Sequence, residues 1–181
     1  HLPGNTVTTQ YVANAITVRN VVNANIFFLP NSTINVHNNT LTEVYRGIGI
    51  STWTKKDVKT NNNTISLAED AFTATNPTPL QYGIAHQANR AATSFGNSIA
   101  ENLVNGFGIT GSIVSGNPNV RAIVTAMCGN QVVRCNTVNN TFKGIEFRGD
   151  NFPTSFTKNH MTTHRYGFVL DNAGFIGVQG N

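Results

Sequence analysis

Eight carboxylates and five histidines could carry acid–base chemistry in this chain of 181 residues. Glycoside hydrolysis requires two carboxylates placed across one sugar bond. The acids are scattered, and the adjacent pair Glu69 and Asp70 is more simply explained as the cap of a short helical turn. Five residues could form a lyase-like site if the fold brings them together: Glu146, Arg148, Asp150, His164 and Arg165. The alternative interpretation is that they are solvated charges on an outer face. We assign no catalytic signature and expect no pair of carboxylates about 5 to 10 Å apart in a cleft with a supporting base.

Two further kinds of residue could serve binding or cross-linking. Tyr45 and Trp53 could stack on a sugar face, which is how aromatic platforms bind carbohydrate. Cys128 and Cys135 lie seven residues apart, and could form a disulfide in an oxidising compartment or remain buried thiols. They are too few for a structural zinc site, and no histidine lies at a suitable spacing. We predict no metal and no cofactor.

Composition favours β-structure and limits the partners. Only 11% of the residues are charged, against about 25% in an average soluble protein, and 27 Asn and 23 Thr supply the polarity instead. Thr suits a pleated surface and Asn suits tight turns. The net charge of +4 is dispersed, with one dense spot at Lys55, Lys56 and Lys59, so nucleic-acid binding is not expected. No apolar run reaches the roughly 20 residues of a membrane span, so membrane insertion is not expected either.

An internal repeat indicates how the chain is organised. A unit Asn-x-aliphatic begins at Asn14, Asn39, Asn63, Asn97, Asn136 and Asn159. A second unit, glycine followed by an apolar residue, begins at Gly47, Gly83, Gly106, Gly144 and Gly167. Successive Asn units are 25, 24, 34, 39 and 23 residues apart. The base period is therefore 23 to 25 residues, and two turns are lengthened by loop insertions at about 68–81 and 111–131.

Each repeat fits one coil of three short strands. The sequence predicts an all-β chain, a right-handed parallel β-helix (solenoid) of about six to seven coils, forming a single domain over residues 1–181. The six Asn would form a ladder at a bend, in left-handed backbone conformation. We expect one buried column of side chains at Ile48, Phe107, Ile145 and Phe168, and a second inward column at Ile50, His86, Ile109, Phe147 and Leu170. In that column His86 is either a satisfied core residue or part of a polar pocket.

The repeat resembles the coil of parallel β-helix proteins in the pectate-lyase-like superfamily. The C-terminal part is more narrowly similar to repeat regions of large Bacteroidetes surface proteins exported by the type IX secretion system. That similarity rests on Cys135-Asn136-Thr137, Lys143-Gly144-Ile145-Glu146-Phe147, Tyr166-Gly167-Phe168 and Ile176-Gly177-Val178-Gln179-Gly180. The resemblance implies export and surface display, and no defined enzyme activity. The Asp and His signatures of polygalacturonases and the calcium-binding Asp cluster of pectate lyases are missing.

Three functional hypotheses follow from these observations. The first is a non-catalytic extracellular or cell-surface protein, structural or adhesive, with other surface proteins as partners. The second is a carbohydrate-binding or polysaccharide-degrading module, with polysaccharide as its partner. The third is the subunit of an extracellular filament formed by end-to-end self-association. We also expect the chain to be a segment of a longer protein, because the run Phe175-Ile176-Gly177-Val178 reads as a further strand rather than a cap.

Overall fold

A computed structural model describes residues 6–8, 15–19, 33–52, 57–68, 80–89, 96–107 and 118–179. This part of the chain consists of strands joined by turns, with no helix. The strands are β1 (Thr6–Thr8), β2 (Ile16–Arg19), β3 (Thr33–His37), β4 (Thr40–Val44), β5 (Arg46–Ser51), β6 (Asp57–Asn61), β7 (Thr64–Leu67), β8 (Gln81–Gln87), β9 (Asn97–Ala100), β10 (Leu103–Asn105), β11 (Val120–Ala126), β12 (Gln131–Arg134), β13 (Thr137–Asn139), β14 (Lys143–Asp150), β15 (Thr154–Thr157), β16 (His160–Thr162) and β17 (Tyr166–Phe175).

The strands form three parallel sheets. Sheet I contains β1, β4, β7, β10, β13 and β16; sheet II contains β2, β5, β8, β11, β14 and β17; sheet III contains β3, β6, β9, β12 and β15. The chain visits sheets I, II and III in a repeating order, so each strand pairs with the strand three places along the sequence. The predicted all-β class and parallel stacking are confirmed, and the order is compatible with a parallel β-helix.

The inward face of sheet II carries the predicted aliphatic column, with one change. Register stacks Ile48, Ile84, Ile123, Ile145 and Phe168. The four isoleucines are buried, whereas Phe168 in the last coil is 40% exposed. The prediction for Phe107 was wrong, because this residue follows β10 and only packs against the core from the side.

The second predicted insertion, at about 111–131, also differs from the structure. Strand β11 lies within residues 111–131 and supplies Ile123 to the column, so much of this range is sheet rather than loop. The glycine of the repeat is Ala122 in this coil, which concealed the strand. In the first predicted insertion, Gln81 already belongs to β8, and residues 69–79 lie outside the described part.

The repeated glycine has a steric cause. A Cβ on Gly47 would lie 2.3 Å from the carbonyl oxygen of Gly83, and one on Gly144 would lie 2.5 Å from that of Gly167. These separations are far below van der Waals contact. A larger residue at either position would therefore force the backbone of the next coil to move away.

A ladder of buried asparagines follows the bend from sheet III to sheet I. In each case Nδ2 donates to Oδ1 of the next asparagine at 2.9 Å. From Asn63 onward, Nδ2 also donates to a backbone carbonyl of the preceding coil, at 2.8–3.1 Å. Each Oδ1 after the first accepts a backbone N–H as well, at 3.0–3.1 Å. The ladder is Asn39, Asn63, Asn102, Asn136 and Asn159.

Two details of the ladder differ from the prediction, and one predicted member is not described. Asn97 is not a ladder residue: it begins β9, where its Oδ1 accepts the Val58 N–H at 3.1 Å. Asn102 occupies the ladder position instead. Asn14 lies outside the described residues. The left-handed conformation belongs to the residue before each ladder asparagine, with φ between 53° and 59° at Asn38, Asn62, Glu101, Cys135 and Lys158.

Cys128 and Cys135 are both thiols and form no disulfide with each other. The extended strand β12 separates them. Its four residues alone span about 13 Å, which exceeds the Cα separation of about 7 Å that a disulfide tolerates. Cys128 is buried and Cys135 is exposed, so the two thiols have different surroundings.

His86 lies in the inward column of sheet II, as predicted. The column contains Ile50, His86, Thr125, Phe147 and Leu170, with Thr125 where Ile109 was expected. His86 Nε2 lies 2.8 Å from Thr60 Oγ1, and its Nδ1 has no hydrogen-bond partner among the described residues. Burial lowers the pKa of His86 from 6.5 to about 3. The residue is therefore a neutral core side chain with one hydrogen bond.

We predict that His86 makes the fold sensitive to mild acid. Because its pKa is lower in the folded state, the unfolded chain binds more protons below pH 6.5. The free energy of unfolding should fall by up to about 1.4 kcal/mol per pH unit as the pH drops from 6.5 towards 3. Urea denaturation at several pH values measures this slope. The double variant His86→Leu with Thr60→Val removes both hydrogen-bond partners and should flatten the slope. His160→Gln, at an exposed position, should not, and equal slopes in all three proteins would contradict the assignment.

A second prediction concerns the ladder. Asn102→Ala removes the acceptor of two Asn63 donors and two donated bonds, leaving buried polar groups unsatisfied. It should lower the free energy of unfolding by at least about 2 kcal/mol. Asn35→Ala, on the half-buried outer side of β3, should change it by less than about 0.5 kcal/mol. Similar losses in the two variants, measured by chemical denaturation, would show that the ladder has no special role.

Candidate functional site

The outer face of sheet II carries the densest charge in the described part of the chain. The position before the repeated glycine always holds a long polar or aromatic side chain: Arg46, Tyr82, Arg121, Lys143 and Tyr166. A parallel column nearer the strand ends holds Arg19, Ser51, Gln87, Ala126, Arg148 and Asp171. Glu146 lies between these two columns. Side chains alternate along β14, so Glu146 is on the outer face whereas its neighbours Ile145 and Phe147 face the core.

Glu146 is the centre of an ion cluster in the later coils. Its side chain is fully buried, although it lies on the outer side of the sheet. Lys143 Nζ lies 2.5 Å from Glu146 Oε1, Arg121 Nε forms a close ion pair with Oε2, and Arg148 Nε is 3.3 Å from Oε2. Lys143 and Arg148 also contact Asp171 Oδ2, at 3.4 and 3.5 Å. Three cations thus enclose one carboxylate and connect it to a second one at the surface.

The pKa values follow from this arrangement. The pKa of Asp171 is lowered, first by a hydrogen bond with the Glu146 carboxyl group and then by the positive charges of Lys143 and Arg148, while slight burial opposes the shift. The pKa of Arg121 is lowered by burial, which the Glu146 carboxylate partly offsets. An arginine remains protonated under ordinary conditions even so, so the cluster carries an excess of positive charge at neutral pH.

The structure places two of the five candidate residues, Glu146 and Arg148, in the cluster. Solvated charge is the wrong description of Glu146, because this carboxylate is buried. Asp171 was not among the candidates, although it shares Lys143 and Arg148 with Glu146. The repeat could have revealed it: Arg148 and Asp171 each stand four residues after a repeated glycine, so they share one register position.

The other three candidates have separate surroundings. Asp150 Oδ1 accepts the backbone N–H of Phe152 at 3.0 Å and so stabilises the turn after β14. The His164 ring lies over the preceding coil, with Nε2 3.0 Å from the carbonyl oxygen of Val138 and Nδ1 3.0 Å from the hydroxyl of Thr141. Arg165 lies over the ring of Tyr166, 5.8 Å from its centroid. These contacts give the three residues local structural roles.

The earlier coils of the same face form a shallow depression of about 90 Å³. Gly49, Ser51 and Ala85 form its floor, with Tyr82 and Arg19 beside them. A Cβ on Gly49 would lie 2.7 Å from Tyr82 Oη, so the glycine makes room for the ring. The Arg46 guanidinium lies 5.7 Å from the centre of that ring. Burial raises the pKa of Tyr82, and the charges of Arg46 and Arg19 oppose the shift.

Tyr82, rather than the predicted Tyr45, is the aromatic residue that lines this depression. Tyr45 is only 8% exposed, so little of its ring is open to a ligand. Trp53 lies outside the described residues. Tyr82 was missed by the sequence reasoning, which examined the glycine and the residues after it but not the residue before it.

Comparison with known proteins does not assign the chain to a family. No protein-family model matches the chain, and no curated protein and no solved structure shows a significant match. The described residues contain no group of three or more His, Cys, Asp or Glu side chains suited to a metal ion. In that same part of the chain, no helix has the length and apolarity needed to cross a membrane.

We predict that Glu146 stabilises the fold by compensating the charges around it. Glu146→Leu leaves the buried Arg121 uncompensated and should lower the free energy of unfolding by about 3–5 kcal/mol. The double variant Glu146→Leu with Arg121→Leu should recover much of this loss, because both charges are then absent. Asp171→Asn, whose ion pairs are exposed, should cost less than about 1 kcal/mol. Thermal or urea unfolding measures all three, and a double variant no more stable than Glu146→Leu alone would contradict the account.

Proposed function

We propose that this chain is a right-handed parallel β-helix of about six to seven coils, and that it acts as a non-catalytic structural or adhesive element outside the cell. The main support is the unbroken stacking of three parallel sheets on a hydrogen-bonded asparagine ladder. Each added coil extends such a stack without changing its cross-section. A solenoid of this kind provides length, rigidity and repeated outer faces, which are the requirements of a surface scaffold.

The acidic groups support the non-catalytic part of this proposal. Glu146 is fully buried and in contact with three cations. A general base must reach the proton that it removes, and Glu146 could do so only after the ion cluster opened. The extracellular or outer-surface location is supported by the resemblance of the repeat motifs to those of exported pectate-lyase-like and type IX-secreted β-helices.

A carbohydrate-binding or lyase-like function is the second candidate. It is favoured by the depression beside Tyr82, where an aromatic ring lies close to Arg19 and Arg46, and by the pairing of Glu146 with Asp171. Such a site would select acidic sugars, because cations outnumber carboxylates on this face. Filament assembly is the third candidate, favoured by the 40% and 50% exposure of Phe168 and Leu170 in the last coil.

One set of measurements separates these functions. Antibodies against the chain should label intact, non-permeabilised source cells, and the purified chain should release no unsaturated products from pectin or alginate. Labelling only after permeabilisation would overturn the proposed location. Cleavage that is lost in Glu146→Ala, and retained in the distant control Thr157→Ala, would replace the proposal with the lyase function. Mass that grows with concentration in light scattering, and is reduced by Phe168→Ser, would favour the filament.

A further inference from the structure

The outer face of sheet I differs from the rest of the surface in its chemistry. In β7, β10, β13 and β16 its outward positions form two columns separated by one inward residue, which is buried in each of these strands except at the half-buried Met161 of β16. The first column contains Thr40, Thr64, Leu103, Thr137 and His160. The second contains Ser66, Asn105, Asn139 and Thr162. Five of these nine side chains are hydroxyls, and none is Lys, Arg, Asp or Glu.

Among the strands that the structure describes, those of sheet I carry the fewest charged side chains. Sheet II displays the ion cluster of Glu146, and the strands of sheet III display Asp57, Lys59 and Arg134. In the strands described for sheet I the single charged side chain is Glu43, an exposed residue of β4 with φ of 53°, at the point where the pairing of β4 with β7 shifts.

The columns are also ordered by contacts between coils. Asn139 Nδ2 donates to Asn105 Oδ1 at 3.0 Å, and the Thr162 hydroxyl donates to Asn139 Oδ1. Parallel strands repeat every 4.7–4.9 Å, and alternate residues along a strand are about 6.6 Å apart. The face is therefore a two-dimensional array of small polar groups with fixed repeats in both directions.

This chemistry narrows the class of ligand. The described strands of this face contain no lysine or arginine, so the face does not suit nucleic acid, phosphate or acidic polysaccharide, which are bound through charge. Its described outward positions include no aromatic ring, so it also lacks the stacking platform on which sugar faces bind. What remains is a regular array of donors and acceptors that are uncharged apart from Glu43. A hydroxyl both donates and accepts hydrogen bonds, as water does, and the methyl group of threonine restricts the water beside it.

We propose that the outer face of sheet I binds ice. Its hydroxyls would take the positions of water molecules at the ice surface, and the methyl groups would hold the intervening water in an ordered layer. Because the array is part of a hydrogen-bonded stack, few side chains lose freedom on contact, and weak contacts add along the columns. This inference rests on the proposed adhesive function and specifies the surface to which the chain adheres.

The test is ice-affinity partitioning of the purified chain, combined with observation of ice crystal growth. The wild-type chain should concentrate in slowly growing ice and produce faceted crystals. Thr64→Lys with Thr137→Lys places two charges in the first column and should leave the protein in the liquid. The matched control Thr33→Lys with Thr157→Lys adds the same charges at exposed positions of sheet III and should behave as wild type. Circular dichroism verifies that all variants are folded.

A gain-of-function variant makes the test independent of damage to the fold. Leu103→Thr with Asn105→Thr completes the hydroxyls across the middle strand of the face and should increase partitioning into ice. Exclusion of the wild-type chain from ice, or equal loss in both lysine pairs, would overturn the proposal. So would binding to microcrystalline cellulose in place of ice, which would assign the face to a neutral polysaccharide. None of these outcomes changes the labelling of intact cells, so ice binding can fail while the adhesive function stands.

Discussion

In-register stacking of parallel strands is the constraint on which the rest of this structure depends. Each strand donates to and accepts from the strands of the coils on either side, so a residue that suits one coil must also suit its neighbours. The bend from sheet III to sheet I is the point where buried backbone groups would otherwise lack partners. The asparagine ladder supplies them there. Asn102 Nδ2, for example, donates to Asn136 Oδ1 of the next coil and to the Thr60 carbonyl of the preceding coil, and Asn102 Oδ1 accepts the Asn63 N–H.

The same stacking turns single residues into columns and gives the outer faces separate characters. On sheet II the columns bring together Arg121, Lys143, Arg148 and Asp171 around Glu146. On sheet I they align small neutral side chains. A face of one character can therefore arise from residues far apart in sequence, and one fold can present a charged surface and a neutral surface without either disturbing the shared core.

Two buried polar residues, one in the core and one on the outer side of sheet II, show how the structure accommodates polar groups away from water. His86 forms one hydrogen bond, with Thr60. Burial lowers its pKa, so the ring stays neutral and no charge is buried. Glu146 is buried among Arg121, Lys143 and Arg148, so attraction between opposite charges compensates its loss of hydration. The stack accepts a polar group when the group can become neutral or when the neighbouring coils supply its counter-charge.

The all-β class, the base period, Ile48 and Ile145 of the inward column, and the ladder positions Asn39, Asn63, Asn136 and Asn159 could be predicted from the sequence, because stacking imposes one spacing on every regular coil. The coil that contains β9 to β11 could be assigned only from the three-dimensional structure. Asn97-Ser98-Ile99 and Asn102-Leu103-Val104 both fit the Asn-x-aliphatic unit, and Ala122 replaces the glycine that would have marked β11. Pairing with the neighbouring strands selects between such alternatives. The Glu146 cluster depends on the same choice, since Arg121 reaches Glu146 only in the register that β11 adopts.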